Sequence, residues 1–406
     1  MNKYRNSKRL GDLCRINTQT YSLSSNWDDF YYLDTGNITE NAISEIQHII
    51  IANGDVLPSR ARRLVKRGDI IFSTVRPNQR HYGYINEVRN HFVVSTGFCV
   101  LSPKENIDGK YIYYFLTQTD VIDNLQAIAE QSTSTYPSIR AEDIANLQIN
   151  IPSLEEQQKI SSVLSSLDDK IEVNNQINRN LEEQAKTIFK SWFVDFEPFG
   201  GNVPDDWKKG TIADLGKVIG GGTPSKAKDE YYSPNGIPWI TPKDLSINKS
   251  KFISRGQIDI SIDGLKNSSA TIMPKGTVLF SSRAPIGYIA IAKNEVTTNQ
   301  GFKSVVPHPN VGTPFVYMFL KHNLDKIESV ASGSTFKEVS GGVMKSIPAL
   351  IPDNKSLSEF SEQCLPLFQK QEALEEENNV LQETRDTLLP KLISGDYNKY
   401  SEVHNG

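Results

Sequence analysis

Apolar residues along this chain follow two kinds of period, and the same succession of the two occurs twice. Short runs rich in β-branched and aromatic residues predict strands: Asp69 to Thr74 and Phe92 to Leu101 early on, Thr277 to Ser281 and Phe302 to Val306 later. A helical face follows each pair. In the later copy Thr313 is the expected N-cap, Pro314 takes the first helical position, and Val316, Phe319, Leu320, Leu324 and Ile327 recur at helical spacing. In the earlier copy Asp108 is the expected cap, and Ile112, Phe115 and Leu116 begin the face. A polar turn rich in Ser and Thr comes next, then a short apolar segment ending in Ile-Pro.

Beyond each Ile-Pro the period changes to a heptad. Ile160, Leu164, Leu167, Ile171, Asn174, Asn178, Leu181, Ala185, Ile188 and Trp192 alternate steps of four and three. The same positions plus 200 are Phe360, Cys364, Leu367, Gln371, Leu374, Asn378, Leu381, Arg385, Leu388 and Leu392. Two helices of equal length with one pattern predict that each is the other's partner. An approximate two-fold relation between the repeats would run them antiparallel. About 37 residues at about 1.5 Å each span roughly 55 Å, the length of a spacer. Asn178 and Asn378, at matching seam positions, suit a polar contact that fixes register.

The repeat extends into the domains. From about residue 132 the offset is 200, with Ser132 facing Ser332, Tyr136 facing Phe336, and Ile151-Pro152 facing Ile351-Pro352. Earlier it drifts to 204, where Gly97-Phe98 matches Gly301-Phe302, and to 208, where Phe72-Ser73 matches Phe280-Ser281. The expected fold class is α+β: two similar mixed domains and an antiparallel two-helix coiled coil in a pseudo-two-fold repeat. The expected boundaries are mixed domains over 1–153 and 201–354, and helical spacers over 154–200 and 355–406.

Composition changes the picture only through charge. The net charge of -4 over 406 residues argues against a polyanion partner until its distribution is read. Arg60 to His91 carries eight Lys or Arg against Asp69 and Glu87, and Lys243 to Arg283 carries seven against three Asp. The acid lies on the two predicted long helices, so nucleic acid is not excluded. Cys14, Cys99 and Cys364 match no disulfide or zinc spacing and are expected to be buried thiols. The basic N-terminus is followed by no apolar run and no run of about 18 apolar residues occurs, so a soluble, cytoplasmic protein without a membrane partner is expected.

Catalytic motifs are not found. The glycine run Gly220 to Gly222, with Thr223, Ser225 and Lys226, is no P-loop; its N–H groups suit a DNA phosphate, or it is an ordinary turn. Pro204-Asp205-Asp206-Trp207-Lys208 lacks the separation of a nuclease motif, and the six histidines have no metal-ligand spacing. The basic turn after the second strand is more informative. Arg76, Asn78, Gln79, Arg80 and Tyr82 include the residue types that read base edges, as does Ser282-Arg283 in the second copy. A solvated hairpin loop would carry the same residues. Arg60, Arg62, Arg63 and Lys243 add cationic candidates. The polar turns supply Thr133, Ser134 and Tyr136, and Ser334, Thr335, Phe336 and Lys337, suited to phosphate and thymine-methyl contacts.

With these features the chain resembles the specificity subunits of Type I restriction-modification systems. Ile151-Pro152-Ser153-Leu154-Glu155-Glu156-Gln157-Gln158-Lys159-Ile160 is similar to the family's stretch into its helical region. The second copy, Ile351 to Lys355, lacks the Glu-Gln pair, while Leu388 to Gly395 has the typical ending. The resemblance implies that each domain reads one half of a split double-stranded DNA target and that the coiled coil acts as a ruler. It implies as partners two methyltransferase subunits, which methylate adenine with S-adenosylmethionine, and two restriction subunits, which translocate and cleave with ATP and magnesium. Those cofactors belong to the partners, and none is expected on this chain, which is expected to be non-catalytic. The competing readings are a methylation-only system, a free-standing DNA-modifying enzyme, against which the absence of an Asn/Asp-Pro-Pro-Tyr/Phe motif argues, and a purely structural scaffold.

Overall fold

The structure, a computed structural model, describes residues 6–22, 27–132, 136–333 and 337–395. It divides into two compact units, Met1–Ile171 with Val380–Gly406, and Glu172–Asn379. Each unit therefore holds one globular domain and one half of each long helix.

In the first unit, strands Cys14–Ile16, Phe98–Pro103, Ile70–Ser73 and Tyr82–Tyr84 form one four-stranded sheet. Gln47–Ile50, Asp29–Leu33, Phe92–Ser95 and Ala61–Leu64 form another, in which Asp29–Leu33 and Phe92–Ser95 run parallel. The apolar run expected as one strand over Phe92 to Leu101 is thus two strands in two sheets, turned at Thr96-Gly97. The break falls on the polar triplet Ser95-Thr96-Gly97, a turn signal inside the longer apolar run that reading the run as one strand passes over. A two-stranded ladder, Asn6–Arg9 against Gln148–Ile151, ties the start of the domain to the segment that enters the long helix.

The second unit repeats this plan. Gly216–Gly220, Lys303–Pro307, Val278–Ser282 and Ile286–Ala292 correspond to the first sheet, with Phe252–Ile253 added. Tyr232–Ile240 and Thr297–Thr298 form the parallel pair, and Lys208–Thr211 against Pro348–Ile351 forms the closing ladder. Asp108 caps the helix Gly109–Thr117 as expected, accepting from Tyr111 N at 2.7 Å. In the second copy the cap is one residue earlier, at Gly312, and the Thr313 hydroxyl instead donates to Gly276 O at 2.8 Å. That helix ends at His322, and Leu324–Ser329 continues separately.

The long helices are Leu154–Phe193 and Asn354–Ser394. None of the twenty seam positions is exposed. In the first unit Ile160 and Leu164 share a core with Leu389 and Ile393. In the second, Ala185 and Phe189 share one with Leu357, Phe360 and Cys364. The start of each helix meets the end of the other, so the pair is antiparallel. The helices are more than spacers, because their end turns complete the cores of the domains, where Phe360 lies among Phe189, Phe193 and Phe315.

The polar contact in the seam is not the expected one. Asn174 Nδ2 donates to Asn378 Oδ1 at 2.9 Å, and Asn378 Nδ2 to Asn175 Oδ1 at 2.9 Å. Asn178 instead offers its backbone oxygen to Gln371 Nε2 at 3.1 Å. Antiparallel geometry is the reason: residues 200 apart face each other only at the centre of the pair, and elsewhere partner numbers fall on one helix as they rise on the other.

Charged residues join helices to domains. Asp168 accepts from Tyr114 OH at 2.6 Å and from Arg385 Nη1 at 2.8 Å. In the second unit Glu182 pairs with Lys251 at 2.9 Å and Lys321 at 2.6 Å. The three cysteines are free and buried, and burial pushes each thiol up to about 12.

Candidate nucleic-acid interface

In each domain three turns converge at one corner. In the first, Thr74 N donates to Gly97 O at 2.8 Å and the Thr74 hydroxyl to the same oxygen at 2.9 Å. Ile139 N donates to Thr74 O and Arg76 N to Pro137 O, each at 2.9 Å. The basic turn, the Gly97 turn and the polar turn before Ile139 are thereby brought together. The second domain reproduces this. Ser282 N and its hydroxyl reach Gly301 O at 2.7 and 3.1 Å, and Val339 N donates to Ser282 O at 3.0 Å.

The shared backbone assigns equivalents. Thr74 corresponds to Ser282, and Arg76, with φ of +48°, corresponds to Ala284, with φ of +51°. Left-handed backbone at residues that carry a Cβ costs about 1–2 kcal/mol, and holding it at one place in both domains marks a turn the fold maintains. Arg283 is therefore the counterpart of Val75, not of Arg76.

The side chains at the two corners differ. Arg76 lies 4.8 Å over the ring of Tyr136, itself more than half exposed. Asn78 and Gln79 are exposed. Arg80 is committed within the domain, donating to Glu40 Oε1 at 3.3 Å and Thr119 Oγ1 at 3.2 Å. In the second domain Arg283 and Lys303 share Glu338, at 3.4 and 3.3 Å. Beside that corner a cleft of about 710 Å³ is lined by Thr223, Lys226, Lys243 and the amides Gln257, Asn299 and Gln300, with Trp239 among its walls. The Thr223 hydroxyl donates to Gln300 Oε1.

Several expected contacts are not available. Tyr82 is a core residue, 4 % exposed and stacked on Phe72, because it belongs to a strand and not to the turn before it. Ser282 is fully buried and its hydroxyl is used in the framework. The glycine run is no phosphate cradle: Gly221 N donates to Phe302 O and Gly222 N to Thr298 O. A Cβ on Gly221 would lie 1.9 Å from Asn299 O, and one on Gly222 would lie 2.2 Å from Ala270 N, so these glycines serve close backbone packing. Arg62 and Arg63 sit half-buried in strand Ala61–Leu64, where burial lowers the Arg63 guanidinium; Arg60 just before it is exposed. Ser225, Lys226, Lys243 and Lys337 are exposed. Thr133, Ser134, Ser334, Thr335 and Phe336 lie outside the described residues.

The sequence reading missed Gln257, Asn299 and Gln300, which belong to no motif and to no run of like charge. The available signal was their place: Gln300 precedes Gly301 as Thr96 precedes Gly97. Among the described residues no group of three or more His, Cys, Asp or Glu is arranged to hold a metal, and no helix is long and apolar enough to cross a membrane.

Two domains on one framework, each with a polar and cationic corner, joined to an antiparallel helix pair, define a duplicated recognition protein. The Type I restriction modification DNA specificity domain model matches residues 3–183 and 204–372, and the chain belongs to that family. It is 27% identical to the Type I restriction enzyme HindI specificity subunit of Haemophilus influenzae, covering 95% of this chain and 98% of that one. It is 42% identical to the MjaIX specificity subunit of Methanocaldococcus jannaschii over 40% of this chain and 38% of that one. Its fold is similar to that of the Type I restriction-modification S subunit from M. genitalium, with a TM-score of 0.56, 17% identity and 97% of each chain covered.

Proposed function

We propose that the chain is the non-catalytic DNA-reading subunit of a cytoplasmic Type I restriction-modification complex. Each domain reads one half of a bipartite, asymmetric double-stranded target, and the helix pair sets the gap. Two methyltransferase subunits methylate adenine with S-adenosylmethionine, and two restriction subunits supply ATP- and magnesium-dependent translocation and cleavage. This chain holds none of those cofactors. The observation that carries the reading is the duplicated corner, in which one backbone framework presents different side chains: reading two different half-sites requires a fixed support and a changed reading surface.

Binding of the assembled methyltransferase complex to its target is expected to weaken steeply with salt, with a log–log slope of about -0.9 per neutralised phosphate. Binding unaffected between low and physiological salt would contradict this. Arg76→Ala and Arg283→Ala are expected to cost about 1–3 kcal/mol each, on different half-sites. Selection from randomised targets distinguishes this from an equal loss on every sequence, which would make both residues phosphate contacts.

A further inference from the structure

The two corners share a feature beyond their basic turns. Asp29–Leu33 and Phe92–Ser95 run parallel, as do Tyr232–Ile240 and Thr297–Thr298, with Leu33 beside Val94 and Ile240 beside Thr298. Both strands of each pair finish at the same end of the sheet, and in the second domain the cleft lined by Trp239, Thr241 and Asn299 lies at that end. In each domain the chain then turns through a glycine that packs against the opposite strand's exit. A Cβ on Gly97 would lie 2.8 Å from Thr35 Cγ2, and one on Gly301 would lie 3.1 Å from Pro242 Cγ. The residue two before each glycine holds its N–H: Ser95 Oγ accepts from Gly97 at 3.3 Å, and Asn299 Oδ1 from Gly301 at 2.9 Å. The glycine carbonyl accepts from Thr74 or Ser282.

One position in this turn is left to solvent. Thr96 and Gln300 are exposed, while Ser95, Phe98, Thr298 and Phe302 are buried. Thr96 gives its N–H to Arg60 O at 2.8 Å, which places it beside the start of the basic strand. Gln300 lies on the lining of the cleft, where its Oε1 accepts from the Thr223 hydroxyl and its amide nitrogen remains to donate, with Lys226, Lys243, Asp229 and Asp244 on the same lining. The same backbone therefore presents two side chains of different hydrogen-bonding capacity at equivalent points. Gln carries an amide that can donate and accept in one plane, the match for the N6 and N7 edge of adenine; Thr carries one hydroxyl and a methyl.

We infer that Thr96 and Gln300 are equivalent specificity-determining positions, each reading a base edge in its own half-site, with Gln300 reading adenine. Lys226 and Lys243 flank Gln300 as phosphate contacts, and Arg60 does the same for Thr96. The inference rests on the DNA-reading function proposed above and adds the residues that discriminate.

The test uses the full chain assembled with its methyltransferase partners and a library of randomised targets. Wild type, Gln300→Ala, Gln300→Glu and Thr96→Gln are compared. Gln300→Ala is expected to relax the preference for adenine at one position of one half-site by about 5- to 150-fold, leaving the other half-site and the gap unchanged. Gln300→Glu is expected to move that position toward cytosine, because a carboxylate accepts from its amino group. Thr96→Gln is expected to alter one position in the other half-site. Both side chains are exposed, so thermal unfolding of each variant is expected to match wild type. Profiles identical to wild type, or an equal loss on all sequences, would overturn the inference while the functional reading stands. A wild-type complex that selects no split target would instead overturn the functional reading itself.

Discussion

Replacing Glu182 with alanine is expected to lower the stability of the second unit by about 3–5 kcal/mol at neutral pH, because it leaves a buried lysine without its counter-charge. The Lys251 side chain is only 6 % exposed, and its ammonium touches Glu182, Gln371 Oε1 at 2.8 Å and the face of Phe368 at 3.1 Å. Burial lowers the lysine to about 8 even with Glu182 present. Burial alone would raise the Glu182 carboxyl, but Lys251 and Lys321 together outweigh it and hold the group at about 2, against an ordinary 4.5. Its folded value lies below its unfolded one, so its contribution is complete above about 4.5 and is lost as pH falls toward 2. Hydrogen exchange in the helix Thr313–His322, followed against pH in wild type and Glu182→Ala, reads both effects. A loss below about 1 kcal/mol at pH 7, or an acid profile identical in the two proteins, would show that the cluster does not fasten the helix pair to this domain. Lys251→Met in the alanine background is expected to recover part of the loss, since an apolar side chain of similar length needs no counter-charge.

That cluster illustrates what hydropathy can and cannot disclose. The seam was legible because twenty positions obey one period, and every one is shielded in the fold. The duplication was legible because offsets survive insertion: the offset is 208 at Thr74 and Ser282 and 204 at Gly97 and Gly301, and the same hydrogen bond joins those residues in each domain, so the added residues fall between them. Partners across the seam were not legible, since an antiparallel pair matches residues by a falling number and a repeat alignment matches them by a constant offset; hence Asn174, not Asn178, meets Asn378. Lys251 counted as one of a basic run, although its long stem carries the ammonium into the helix interface. Within the candidate site, residue type alone suggested Arg76 and Lys226, and both lie at the corners. Tyr82 and Ser282 failed because a turn and the strand beside it differ by one or two residues, a shift that decides between solvent and core.

Adding seven residues to each long helix is expected to lengthen the gap in the DNA target by one to three base pairs and to leave both half-sites unchanged. The insertions belong after Asn174 and after Glu377, because Asn174 pairs with Asn378 and the new segments must face one another. A whole heptad preserves the seam, so the pair still closes. Seven residues at about 1.5 Å lengthen each helix by roughly 10 Å, equivalent to about three base pairs at about 3.4 Å each. Each added base pair also rotates the second half-site by about a tenth of a turn, which opposes the full change and sets the expected range. Insertion in one helix alone shifts one half of the seam against the other and is expected to abolish methylation of any split target, which serves as the control. Methylome sequencing of cells carrying the double insertion decides between outcomes: an unchanged gap would show that the helices do not measure it, and changed half-site letters would show that they shape the reading surfaces instead.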